Sequence, residues 1–148
     1  MLNPAKSFTD LVVWQKAHEF VLWLYRFTEH FPRAEIFALT TQMRRAAVSV
    51  PANISEGFGK RTTAEKLRFL NIAQGSLEES KYYLILSRDL QYGEVEELQV
   101  MLQTVGKLLA GYQKAISRAT NPNASLSAAK RLCRASGSRQ LLRLDLNS

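Results

Sequence analysis

Residues 94–118, EVEELQVMLQTVGKLLAGYQKAISR, hold the clearest periodic signal in the chain. Val95, Leu98, Leu102, Val105, Leu109, Tyr112 and Ile116 recur every three or four positions, a spacing that lines them along one face of an α-helix. Glu94, Glu96 and Glu97 crowd its start, where negative charge meets the positive end of the helix dipole, and Arg118 with Asn121-Pro122 marks its stop. Upstream, Thr62 and Glu65 have the Thr-x-x-Glu spacing of a capping box, which opens another helix that Tyr92-Gly93 closes. Along that helix Phe69, Ala73, Ser76, Ser80, Tyr83, Ser87 and Leu90 share a face that is small in its middle. Leu70, Leu77 and Leu84 fill the adjacent strip, so a neighbouring helix can come close.

Two further helices precede these. Ile36, Leu39, Met43, Ala46, Val50, Ile54 and Phe58 form one apolar stripe, with Arg45, Ser49, Asn53, Glu56 and Lys60 on a polar one. Pro51 lacks an amide hydrogen and predicts a kink inside this helix, and Gly57 and Gly59 are expected to end it. The first helix carries Leu11, Trp14, Ala17, Val21, Leu24, Thr28 and Phe31 on one face and stops at Pro32. A second set on it, Val13, Phe20, Trp23 and Phe27, exceeds the single stripe that a surface helix needs, and is expected to form an interface between subunits. Four helices on short connections must alternate in direction. The expected fold is therefore all-α, an antiparallel up-down four-helix bundle over residues 1–120, with residues 121–148 as a basic, flexible tail.

The 148 residues suit one domain, and the net charge of +7 favours polyanionic partners such as RNA, DNA or an anionic membrane surface. Five cations of the tail, Lys130, Arg131, Arg134, Arg139 and Arg143, face only Asp145, so +4 of that charge falls there. Cys133 is alone, which excludes an internal disulfide and a cysteine zinc site and points to a reducing compartment, the cytoplasm. Neither a secretory signal nor a stretch of about 18 apolar residues is present.

Catalytic constellations are missing from the sequence. His18 and His30 stand twelve apart without metal-ligand spacing, and Glu78-Glu79 are adjacent helical residues that diverge around the axis. Gly57-x-Gly59-Lys60-Arg61-Thr62 has neither the gap nor the preceding strand of a phosphate loop. No enzyme activity, metal or cofactor is expected. The more informative group is Arg44, Arg45, Lys60, Arg61, Lys66 and Arg68 against Glu56 and Glu65. Read as one cluster around a turn, it would grip phosphates with side chains and the open amides of the third helix. Equally, Arg44, Arg45 and Glu56 may be read as structural bridges, and the run Asn53–Gly57 either as a partner site or as backbone capping.

Several of these residues fall into longer motifs. Phe8-x-x-Leu11-x-x-Trp14-x-x-Ala17 and Phe31-Pro32-x-x-Glu35 lead to Leu39-Thr40-x-Gln42-x-Arg44-Arg45-Ala46-Ala47-x-Ser49-Val50-x-Ala52-Asn53-Ile54-x-Glu56-Gly57. Phe69-Leu70-x-x-Ala73-x-Gly75-Ser76-Leu77-x-Glu79 follows. Over residues 8 to about 118 the chain resembles the four-helix bundle proteins encoded in intervening sequences of bacterial 23S ribosomal RNA genes. It departs at Ala38 and Ser55, where relatives commonly show Gly and Ala, and the tail has no counterpart.

The resemblance implies a cytoplasmic, self-associating bundle in which Asn53, Glu56, Gly57, Gly75, Ser76 and Glu79 are structural or interface residues. A more distant similarity, to the accessory variability protein of diversity-generating retroelements, implies a pentamer that binds a reverse transcriptase and nucleic acid. The expected function is a non-catalytic, homo-oligomeric RNA-associated scaffold. The alternative is an adaptor for a reverse transcriptase or other enzyme with little direct RNA contact.

Overall fold

A computed structural model describes residues 3–121 together with residues 130, 131 and 134. Four helices dominate: α1 (Val12–Thr28), α2 (Leu39–Phe58), α3 (Thr63–Asp89) and α4 (Glu96–Ala119), with single 3-10 turns at Phe8–Asp10 and Arg33–Glu35. Each helix packs on its sequence neighbours and α4 closes back on α1, while the Cα traces of the diagonal pairs α1–α3 and α2–α4 stay more than 8 Å apart. The expected up-down bundle is thus a closed square. Beyond Asn121 the expected flexible tail lies outside the described residues, apart from Lys130, Arg131 and Arg134, which are helical and exposed.

The core follows the apolar stripes: Phe20 and Leu24 from α1, Met43, Val50 and Ile54 from α2, Leu70, Leu77 and Leu84 from α3, and Leu102, Val105 and Leu109 from α4 are buried. The most extensive contact joins α2 to α3, across the face where small residues let the backbones approach. There the hydroxyls of Ser49 and Ser76 lie 2.8 Å apart, and the Ser87 hydroxyl meets the Met43 sulfur at 3.3 Å. Gly57 does not terminate α2. It is buried inside the helix, where a Cβ would stand 3.1 Å from the Phe69 Cβ and 3.3 Å from the Lys66 carbonyl oxygen, so it sets how closely α3 can pass. Pro51 is likewise buried within α2, which runs through it as one helix.

Two boundaries differ from the apolar pattern. α1 stops at Thr28, and Phe31 reaches the core from the following loop, its ring 5.2 Å from Phe27 and 5.1 Å from Tyr92. Ile36 precedes α2 and is exposed, so the stripe on α2 begins at Leu39. Glu35 fixes this connection: its carboxylate accepts from the amide of Leu39 at 3.3 Å and from the hydroxyl of Tyr92 at 2.9 Å.

α3 ends in a Schellman turn. The amide of Gln91 donates to the Arg88 carbonyl and that of Tyr92 to the Ser87 carbonyl, both at 2.9 Å, with Gln91 left-handed at φ 61°. Gly93 follows at φ 158°, and a Cβ there would meet the Phe27 ring at 2.7 Å.

Candidate nucleic-acid interface

The turn between α2 and α3 is built from both helix ends. Gly59 caps α2, and the Lys60 amide donates to the Gly57 carbonyl at 3.2 Å. Thr62 caps α3, its hydroxyl oxygen accepting the Glu65 amide at 3.2 Å. The Glu65 carboxylate answers to the Thr62 hydroxyl at 3.0 Å, not to an amide, so the box is half of the expected reciprocal pair. Phe69, nearly two turns into α3, then receives two cations. The Lys60 ammonium lies 5.0 Å and the Arg68 guanidinium 5.3 Å from its ring centre, cation–π geometry in both cases. Arg61 is exposed.

The six cations grouped in the sequence are not one cluster. Lys66 turns inward: its ammonium donates to the carbonyls of Phe58 at 2.7 Å and Gly57 at 3.4 Å, satisfying the end of α2. Arg44 belongs to the α1–α2 seam, where Nε donates to the Thr28 hydroxyl at 2.9 Å and the guanidinium stacks 4.4 Å from the Tyr25 ring centre. From Arg44 to the end of α2 at Phe58, just before Lys60, the helix rises about 21 Å at 1.5 Å per residue. Arg44 and Arg45 therefore stand at the other end of α2 from the turn, and of the six cations only Lys60, Arg61 and Arg68 are left near the turn with no backbone carbonyl to cap.

Arg45 lines a second feature, a polar groove of about 490 Å³ between α2 and α3 that also takes in Gln42, Ser49, Ser76, Glu79 and Tyr83. The Tyr83 hydroxyl lies 2.7 Å from the Glu79 carboxylate and 3.0 Å from the Gln42 side-chain oxygen. The bond to Glu79, then burial, raises the Tyr83 pKa above 10.0. Deeper in, the Asn53 amide donates to the Ser49 carbonyl at 2.8 Å and hydroxyl at 3.0 Å, continuing to Ser76. Ser49–Ser76 and Gln42–Tyr83 thus join α2 to α3, with Asn53 and Glu79 bonded to Ser49 and Tyr83 within their own helices, while Glu56 is exposed and enters no ion pair among the described residues. Nothing lies within 4 Å of a Cβ built at Gly75, whose face is open.

The second apolar set of α1 divides. Val13 and Phe20, 4% and 1% exposed, are core residues of the bundle itself and unavailable to a partner subunit, a correction to the expected interface. The reason is geometric: α1 touches both α2 and α4 and must be apolar over two faces. Trp23 is exposed and Phe27 half-buried. Among the described residues no three His, Cys, Asp or Glu side chains converge as a metal site would require, and no described helix is long and apolar enough to cross a membrane.

Residues 9–114 match the sequence family described as 23S rRNA-intervening sequence protein. A solved structure from Bacteroides thetaiotaomicron, described as a protein with unknown function from the S23 ribosomal protein family, is similar in fold, with a TM-score of 0.63 and 28% identity. The match covers 70% of this chain and 99% of that one. No protein of curated function matches the sequence.

Proposed function

We propose that this chain, which belongs to the 23S rRNA-intervening sequence protein family, is a non-catalytic, self-associating cytoplasmic scaffold that holds RNA by its phosphates at the α2–α3 turn. The carrying observation is Lys60 and Arg68 on the ring of Phe69, with exposed Arg61 next to Lys60 in the turn: these cations are engaged by no carboxylate among the described residues, and they flank the start of α3. Such an array neutralises a backbone without reading bases. Neither the family's description nor the neighbour's names a reaction.

For self-association the supporting surface is the outer face of α3. Ile72 and Tyr82 are 43% and 57% exposed, with open Gly75 between them. A helix-interior glycine costs roughly 1 kcal/mol relative to alanine, and no neighbour in the bundle makes use of it. A second backbone approaching there would.

Light scattering after size exclusion tests both halves, on nuclease-treated protein with and without bacterial RNA over a salt series. The expected result is a closed oligomer, five copies on the distant retroelement resemblance, that takes up RNA at low salt and releases it at high salt. An oligomer indifferent to RNA sinks the RNA reading in favour of the enzyme adaptor, and a monomer sinks the scaffold.

A further inference from the structure

We propose that the cleft between α1 and the start of α4 is the seat of the chain's own carboxy-terminal segment, residues 139–146. The cleft, about 500 Å³, lies at the opposite end of the bundle from the basic turn. Its floor is apolar, formed by Trp23, Phe27, Leu98 and Met101, and its rim is acidic, with Glu94, Glu96 and Glu97. None of the three carboxylates is in an ion pair among the described residues. Arg26 reaches the cleft but lies 5.5 Å from the Trp23 ring centre, extending the aromatic wall.

An apolar floor inside an acidic rim selects an occupant that is apolar and cationic at short intervals, and repels nucleic acid. Residues 139–146, Arg-Gln-Leu-Leu-Arg-Leu-Asp-Leu, place four leucines between and beside two arginines. The leucines match the floor and Arg139 and Arg143 match the rim. The reach suffices: from Asn121 back to Leu98 is about 35 Å along α4 at 1.5 Å per residue. The 17 residues 122–138 span up to about 58 Å when extended, and shortening the helical Lys130, Arg131 and Arg134 to about 1.5 Å each still leaves about 52 Å. A tether of that length holds the segment at an effective concentration on the order of a millimolar, well above the micromolar level at which a second copy would compete.

The test uses the full chain, nuclease-treated and without RNA, so that it does not depend on the RNA reading. Trp14→Phe leaves Trp23 as the only tryptophan, and acrylamide quenching reads its exposure. Arg139→Glu/Arg143→Glu and, separately, Leu141→Asp/Leu142→Asp are expected to raise the quenching constant about twofold as the indole of Trp23, a residue 44% exposed, is uncovered. Adding Glu96→Lys/Glu97→Lys to the first pair restores protection. Circular dichroism checks that helix content is unchanged. Quenching that is equal in the parent and both tail variants overturns the proposal. Protection that fades on hundredfold dilution overturns it too, by assigning the cleft to another copy.

Discussion

The ammonium of Lys66 sits 2.7 Å from the carbonyl oxygen of Phe58, across the turn from α3 back to α2. It completes a helix end, so its loss is felt in folding. Lys66→Met is expected to lower stability in urea by about 1–2 kcal/mol while leaving the salt dependence of RNA binding unchanged. Arg61→Ala should do the reverse, shifting stability by less than about 0.5 kcal/mol and flattening the log–log salt slope by about 0.7 for single-stranded RNA. Equal effects from the two variants would mean that Lys66 leaves the helix end to bind phosphate.

Gly57 and Gly75 should respond oppositely to alanine. At Gly57 the new Cβ meets the Phe69 Cβ and the Lys66 carbonyl, neither of which can swing aside. Gly57→Ala is therefore expected to destabilise by about 1–2 kcal/mol even after the gain in helix propensity. Gly75→Ala enters open space and should stabilise the folded chain by about 0.5–1 kcal/mol, while weakening self-association if α3 forms the interface. Thermal melts and scattering mass together read both effects.

Gln91 holds the left-handed position of a Schellman turn, usually glycine's place. Gln91→Gly removes the Cβ strain at a small entropic cost in the unfolded chain and should stabilise by roughly 0.5–1 kcal/mol in urea titration. An unchanged midpoint would show that the turn relaxes without help.

Tyr83 gives the bundle an alkaline dependence. Its hydroxyl donates to Glu79, which with burial raises the pKa in the folded state. A raised native pKa contributes stability that is complete below about pH 10 and is lost as pH climbs through the higher native value. Tyr83→Phe should therefore flatten the fall in urea midpoint between about pH 9 and 11. Tyr92, bonded to Glu35, and Tyr112, raised by burial, leave a residual slope.

Helix number, direction and most of the core were legible in the spacing of apolar residues, because a bundle helix cannot hide its buried face. The start of α3 was legible in Thr62 for the same local reason, since a cap acts within three residues. What sequence spacing cannot carry is distance along a helix. Arg44 and Lys60 look like members of one charged group when written in a line, yet about 21 Å of α2, from Arg44 to Phe58, stands between them. Val13 and Phe20 misled because one helix can be covered twice by its own bundle. Lys66 was unreadable as a cap, since its partner carbonyls depend on the angle at which α3 leaves the turn.

Phe31, Tyr92 and Glu35 brace the α1–α2 and α3–α4 connections against each other at one end of the bundle. The other end has a single covalent link, the α2–α3 turn, and two helix termini, at Val12 and Ala119. Opening fluctuations therefore begin at the singly linked end, and amide protons there exchange with solvent soonest, while those near Leu24, Met43 and Leu102 wait for global unfolding. A ligand that clamps the α2–α3 turn would act where the molecule is loosest, and its binding would be seen as slowed exchange along α1 and α4, which it does not touch.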